Sequence, residues 1–228
     1  MKIAIHQPQY LPWTGYFDKM DRADVFVLLD DVQYKKNEWQ NRNRIRNAEG
    51  WQWITVPVLY EFGQKINEVR INNKENWREK HLKSLEVNYS QAAHFDEYIL
   101  FFRKHYACEW EKLVDINVRF IEYLADTMGI TTEIVRSSSL GIGTEKTRRL
   151  IDICKAVGAD EYLSGAGGGD YLEEEKFAGE GIRLEYQKYE QKPYEQVYNG
   201  FCPDLSAADL LFCCGKDSIN IIREGRKE

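Results

Sequence analysis

Ile5-His6-Gln7-Pro8-Gln9-Tyr10-Leu11-Pro12-Trp13-Thr14-Gly15-Tyr16-Phe17-Asp18-Lys19 is the stretch whose reading decides the fold. Just before it, Lys2 to Ile5 alternate as a short buried strand does, and Pro8 and Pro12 forbid its continuation as a central strand. The strand therefore stops near His6. Tyr16, Phe17 and Met20 recur at helical spacing over Gly15 to Asp21, and Val25 to Leu29 is an apolar run of strand length ending on Asp30-Asp31. A strand, loop, helix, strand unit of this kind builds a parallel sheet, whose ligands sit outside the carboxyl ends of the strands. His6, Asp30 and Asp31 fall there.

At 228 residues, 43% hydrophobic and 30% charged, the chain can bury a full core and has an ordinary globular balance, with disorder expected only at its last few residues. No apolar stretch approaches the ~20 residues that cross a bilayer, and Met1-Lys2-Ile3 leads into the fold without an apolar leader. A cytoplasmic protein is the expectation. Five cysteines without metal-ligand spacing read as reduced, mostly buried thiols. The net charge of -6 argues against a general nucleic-acid binder and leaves room for a local basic patch.

Beyond Asp31, Val32 to Trp39 is too polar for core and too aromatic for a plain linker, the composition of an active-site loop. Gln40, Arg42, Arg44 and Arg46 alternate with Asn41, Asn43 and Ile45 at strand period; Asn47 to Gly50 has turn chemistry, and Trp51 to Leu59 reads as the returning strand. Pro57 demotes the far end of that strand to an edge, and Lys65 to Ile71 adds a short strand. Amphipathic helices follow around Trp77 to Tyr89, Phe95 to Phe102 and Trp110 to Met128, the last closed by Gly129. His81, His94 and His105 lie among them without a partner at metal spacing. Strands and helices then alternate again: Thr132 to Arg136, a helix capped by Thr144 with Leu150, Ile151 and Cys154 inward, Glu161 to Ser164, Arg183 to Tyr186, and a helix at Ala207 to Cys213. The class is α/β with a Rossmann-like, mostly parallel sheet. It is expected as one domain over 1–228, with a β-hairpin insertion at 39–71 and a helical section at 74–128.

Several constellations carry chemistry. His6 follows the first strand, and Gly15-Tyr16 opens a helix whose N–H groups and dipole can receive phosphate. Nucleotidyl-transferring Rossmann-like enzymes have a similar layout with a second His, where this chain has Tyr16. Lys35, Lys36, Arg42, Arg44 and Arg46 supply cations suited to phosphate or carboxylate, unless they mark a solvated strand face; Trp39, Asn41 and Asn43 beside them can stack on and hydrogen-bond a base or sugar. Ser164-Gly165-Ala166-Gly167-Gly168-Gly169-Asp170-Tyr171 is a second anion-binding candidate or a flexible crossover; Asp170 and Tyr171 would bind hydroxyls or an amine. The helix start at Thr144 to Arg149, with Thr147 and Arg148, loosely resembles triphosphate clamps.

With these residues assembled, the chain resembles the WbqC-like family. The resemblance rests on His6 to Phe17 with Gln7, Tyr10, Trp13, Gly15 and Tyr16; on Asp24 to Tyr34 with Gln33; on Trp39 to Ile45; and on Thr147, Arg148 and Gly158 to Gly165. It implies an association with bacterial O-antigen and other surface-polysaccharide clusters, often with amino sugars, that is, lipopolysaccharide biosynthesis. The leading expectation is a transferase or ligase that attaches an amino acid or other acyl group to the amine of a nucleotide-linked sugar. ATP with Mg would activate the acyl group, or an aminoacyl-tRNA would donate it. His6 and Lys35 would neutralise phosphate, and Asp30 or Asp31 would orient the amine or the magnesium ion. The alternative is a non-catalytic nucleotide-sugar or polysaccharide-binding protein.

Overall fold

The structure is a computed structural model that describes the whole chain except Tyr171, Glu228 and the side chain of Asp170. Five parallel strands form the central sheet: β1 (Lys2–His6), β2 (Val25–Leu28), β7 (Glu133–Arg136), β8 (Glu161–Ser164) and β9 (Arg183–Tyr186), in the order β7-β2-β1-β8-β9. The first strand lies at the centre, and the chain builds outward on one side before crossing to the other. Its direction reverses between β1 and β8, which opens a crevice at the carboxyl ends of those two strands.

Both faces of this sheet are covered, as all-parallel sheets require. Ala4, Phe26, Leu28 and Leu163 point into one apolar cluster, while Ile3, Ile5, Val25, Val27 and Tyr162 point into the other. The first cluster is continuous with α1 (Thr14–Asp21), α2 (Trp77–Tyr89), α3 (Phe95–Ala107), α4 (Leu113–Thr127) and α7 (Ala207–Cys214). The second holds Ile151, Cys154 and Phe177 of α5 (Lys146–Ala156) and α6 (Glu174–Gly179). Gly129 closes α4 with φ 75°, as its position after the amphipathic stripe predicts.

Three local expectations are corrected. The run Trp51 to Leu59 is two strands: β4 (Gly50–Thr55) pairs with β3 (Arg42–Asn47), and β5 (Val58–Leu59) leaves to pair with β6 (Arg70–Ile71). Pro57 lies at the break, where it cannot donate to the β3 ladder. Thr144 does not cap α5, because its hydroxyl donates to Asp152 at 2.8 Å. The carboxyl end is ordered through Lys227: α8 (Ser218–Glu224) is followed by Arg226, whose guanidinium pairs with buried Asp18 at 2.7 Å and with Asp21, while Arg223 binds Asp21 at 2.8 Å.

The loop between β1 and α1 is held from outside. Asn43 donates to the carbonyls of Tyr10 and Leu11 at 3.2 and 2.7 Å, and Asn117 to those of Pro8 and Gln40 at 3.3 and 2.7 Å. Leu11 sits there with φ 45°, a conformation that side-chain-bearing residues rarely adopt and that such anchors maintain. Replacing Asn43 with alanine leaves two buried carbonyls short of a donor, with an expected loss of about 1–3 kcal/mol. Urea midpoints equal to those of the native chain would show that the loop is held without it.

Candidate functional site

The crevice at the β1/β8 switch is a cavity of about 640 Å³. His6 and Gln7 enter it from the end of β1, Ser164 to Gly168 from the end of β8, and Lys146 and Arg149 from the first turn of α5. A second cavity of about 370 Å³, lined by His6, Gln9, Trp13, Trp39, Arg44 and Asp204, meets the first at His6 and Trp13. The result is a cleft with a basic half and an aromatic half, joined at one histidine.

His6 is desolvated where the halves join. Its ring lies 4.7 Å from that of Tyr16, Gln9 Nε2 is 3.3 Å from its Nε2, and its Nδ1 is buried without a protein partner. Burial first, and the charge of Lys19 second, push its pKa well below the usual histidine value, so the ring is neutral. With no anion beside it, the ring carries no charge of its own toward phosphate. Because the Gln9 amide donates to Nε2, the neutral ring carries its proton on Nδ1, which is left as a donor for a ligand, and Nε2 is its basic nitrogen.

Lys19, to which the sequence pattern assigns no role, is the strongest anomaly. Its side chain is 2% exposed, it lines the larger cavity, and among the described residues its ammonium has one hydrogen bond, to the carbonyl of Ile5 at 2.9 Å. An ammonium carries three donors, so two are left for a ligand. Burial lowers its pKa to about 7.

At the start of α1, the expected phosphate-binding position, Gly15 lines the larger cavity and the first turn closes on Trp13. Tyr16 N–H donates to the Trp13 carbonyl at 3.1 Å, and a Cβ on Gly15 would meet the Trp13 indole at 2.3 Å. Gly15 is glycine to make room for that ring. Tyr16, fully buried, donates its hydroxyl to the Gln7 carbonyl at 3.3 Å, so it serves packing and not the role of a second histidine.

At the start of α5 the expected residues are one helical step out of phase. Thr147 is buried, and Arg148 turns away to Asp152 at 2.8 Å and Glu180 at 2.6 Å. The cavity side of the helix carries Lys146, Arg149 and Leu150, related by the three- and four-residue spacing of one helix face. Arg149 is held by Asp31 and by the carbonyls of Ile142 and Thr144 at 2.9 and 3.0 Å. Burial raises the Asp31 carboxyl, but hydrogen bonds from Arg149 and Ser137 outweigh it and hold the group below the usual range.

Asp30 is fully buried and saturated. Its carboxylate accepts from Arg136 Nε at 2.8 Å, from the Ser138 hydroxyl at 2.8 Å and from Ser138 N–H at 2.9 Å, while its own N–H donates to Ser137 Oγ at 3.1 Å. It ties β2 to the turn after β7, and Asp31 positions Arg149; neither carboxylate is free to orient an amine or a magnesium ion. Among the described residues no group of three or more His, Cys, Asp or Glu side chains could hold a metal.

The glycine-rich segment is a 3-10 turn (Ala166–Asp170), not an open loop. Gly165, Gly167 and Gly168 line the cavity, whereas Gly169 lies against Tyr186. A Cβ on Gly168 would come within 2.0 Å of Ser164 Oγ, so this close approach requires glycine. Gly168→Ala is expected to displace the turn and weaken ligand binding, with partial recovery when Ser164 is also changed to glycine; ligand titration of the two variants measures it. The roles expected for Asp170 and Tyr171 lie outside the described residues.

Other expected binders have structural places. Tyr10 is buried, its hydroxyl bonded to Tyr106 at 2.5 Å and His81 at 2.9 Å; Asn41 donates to the Val56 carbonyl at 2.9 Å; exposed Gln33 bridges by its backbone to Lys65. Lys35 is exposed beside Gln7, Gln9 and Trp39 around a cavity of about 130 Å³. Arg46, expected on the outer face with Arg42 and Arg44, is 5% exposed and donates to the carbonyls of Gly50 and Asn199 at 2.6 and 2.9 Å. Residues missed by pattern reading are Lys19, Lys146, Arg149, Gln9, Asp204 and Gln187, whose amide donates to the Gly15 carbonyl and to Asp18 at 2.8 and 2.7 Å. Only the helical phase of α5 offered a signal, for Lys146 and Arg149.

Fold and cavities together define a doubly wound α/β protein with a cleft at its topological switch. The chain belongs to the WbqC-like protein family, which matches residues 7–221. It is 38% identical over 230 residues, 99% of each chain, to the uncharacterized protein Rv1507c of Mycobacterium tuberculosis (strain ATCC 25618 / H37Rv). No solved structure matches the chain. No helix among the described residues is long and apolar enough to cross a membrane.

Proposed function

We propose that this protein transfers an activated acyl group, such as an amino acid, to the amine of a nucleotide-linked sugar destined for a bacterial surface polysaccharide. The observation that carries the reading is the meeting, at His6, of a cavity walled by Lys19, Lys146 and Arg149 with one walled by Trp13, Trp39 and Asp204. Phosphates suit the first wall, because cations and the backbone of the glycine-rich turn favour anions. A sugar suits the second, where aromatic faces meet ring carbons and a carboxylate receives hydroxyl or amine hydrogens.

Chemistry then occurs at the junction. The neutral sugar amine attacks the activated carbonyl; a C–N bond forms, the carbonyl C–O bond to the leaving group breaks, and His6 takes the proton shed by nitrogen before returning it to the leaving oxygen. Lys19 and Arg149 hold phosphate oxygens. ATP suits the basic half by its triphosphate. Magnesium would have to arrive on those phosphates, since Asp30 and Asp31 are already engaged, and no step is assigned to it.

The test is mass spectrometry of the purified protein for co-purifying nucleotides, then thermal shift with ATP, CTP and UDP- or dTDP-linked amino sugars. A specific ligand stabilises the folded state by mass action, about 2.7 kcal/mol at a hundredfold excess over Kd. Stabilisation by an amino-sugar nucleotide together with amide formation supports the reading. Stabilisation without turnover on any acyl donor supports the non-catalytic binding protein instead.

A further inference from the structure

The hairpin of β3 and β4 carries a feature that the cleft does not use. Trp51, Trp53 and Trp39 are 43%, 39% and 39% exposed, and their rings follow one another with centroids 5.5 Å apart at each step. Arg44 is paired across the hairpin with Trp53, and Arg46 with Trp51, so the outward side chains of Arg42 and Arg44 share a face with the tryptophans. Their guanidinium groups lie over those rings, Arg42 at 4.2 Å from Trp53 and Arg44 at 5.1 Å from Trp51. The row ends inside the site, since Trp39 and Arg44 line the smaller cavity with His6.

Arg42 separates two classes of occupant. Among the described residues its guanidinium has no carboxylate and no hydrogen-bond acceptor, and its Nε is buried without a partner. In a chain of net charge -6, an unneutralised guanidinium placed 4.2 Å over an exposed indole is suited to an anion that follows a stacked ring. Stacking platforms interleaved with cations are how proteins hold single-stranded nucleic acid without reading its sequence. A neutral oligosaccharide would use the rings and offer the guanidinium uncharged hydroxyl acceptors, leaving its charge unneutralised.

We propose that the Trp51-Trp53-Trp39 row with Arg42 and Arg44 binds the single-stranded 3′ end of an RNA that delivers the acyl group to His6 as a ribose ester. This rests on the acyl-transfer reading above and chooses its donor. In the step implied, the amide C–N bond replaces the ester C–O bond, and the proton shed by the amine ends on the ribose hydroxyl, so neither ATP nor an oxidant is consumed.

The experiment titrates the full chain with a short single-stranded RNA ending in CCA and follows tryptophan fluorescence at several salt concentrations. Quenching is expected, with an affinity that falls on a log-log plot by about 0.7 per phosphate neutralised. Arg42→Glu and Trp53→Ala are each expected to weaken binding by roughly tenfold or more, the loss of one stacked or paired nucleotide, at unchanged Tm. Both residues lie outside the cleft, so stabilisation by the amino-sugar nucleotide should persist in both variants. RNA binding that is absent, insensitive to salt, or equal in Arg42→Glu overturns the proposal, as does tighter binding of a neutral oligosaccharide to the same tryptophans. Failure of the nucleotide-sugar panel with RNA binding intact would sink the acyl-transfer reading and not this surface.

Discussion

Replacing Lys19 with methionine is expected to stabilise the protein at neutral pH while abolishing the binding of phosphate-bearing ligands. The side chain is buried and supplied with one acceptor, and burial holds its pKa near 7 against an ordinary value of 10.5. The unfolded chain therefore binds the proton more tightly than the folded one, so folding carries a penalty that is full below pH 7 and fades as pH rises toward 10.5. Methionine removes that penalty, on the order of 2–4 kcal/mol at neutral pH after the lost hydrogen bond is deducted. Urea midpoints of both proteins should differ most at and below neutrality and converge in alkali. A methionine variant that is destabilised at neutral pH and still binds nucleotide would make Lys19 a cap for the Ile5 carbonyl. The expected pattern, more stability with less binding, is the trade-off met where a group is kept for function.

The second large effect belongs to His6→Asn. Asparagine keeps a polar group beside Gln9 but cannot take a proton at neutral pH, so turnover on an acyl donor and amino-sugar acceptor should fall ~10²-fold or more, the usual worth of a positioned base. The Tm should stay close to native. A separate readout distinguishes catalysis from packing. His6 is held neutral in the fold, so stability contributed by its neutral state is lost as pH falls below 6.5, and His81, lowered to about 4 by burial, adds to the same acid limb. His6→Asn should flatten part of that limb. Unchanged turnover per folded molecule, with only the acid limb altered, would leave His6 as a structural residue.

These two residues differ in how visible they are in the sequence. His6 is legible because a strand of alternating residues must end before Pro8, and ligands of parallel sheets gather where strands end. Lys19 is one position among the residues of a short helix, and no local pattern distinguishes a lysine that snorkels to water from one enclosed beside the end of β1. What encloses it comes from residues far along the chain: Ser164 at the end of β8, Gly165 next to it, and Gln187 after β9 share its cavity.

The same division runs through the other elements. Alternation over Arg42 to Arg46 marks a strand and its two faces, and it correctly turns Asn43 and Ile45 inward. It cannot show that Asn43 is spent on the carbonyls of Tyr10 and Leu11, because that requires the hairpin to fold over the β1–α1 loop. The pair Asp30-Asp31 is likewise visible as charge at a strand end. Its neutralisation is not, since Arg136, Ser137 and Ser138 reach Asp30 only when β7 pairs with β2, and Arg149 reaches Asp31 only when α5 packs on the sheet.

Local periodicity by itself determined the strands of the central sheet and the amphipathic helices, because burial of alternate or helically spaced side chains is a property of neighbours in sequence. Which charged and polar groups remain available to a ligand was decided by the tertiary structure alone. Availability is what is left after every distant donor, acceptor and counter-charge has been matched, and those partners are more than a hundred residues away for Asp30, Asp31 and Arg44.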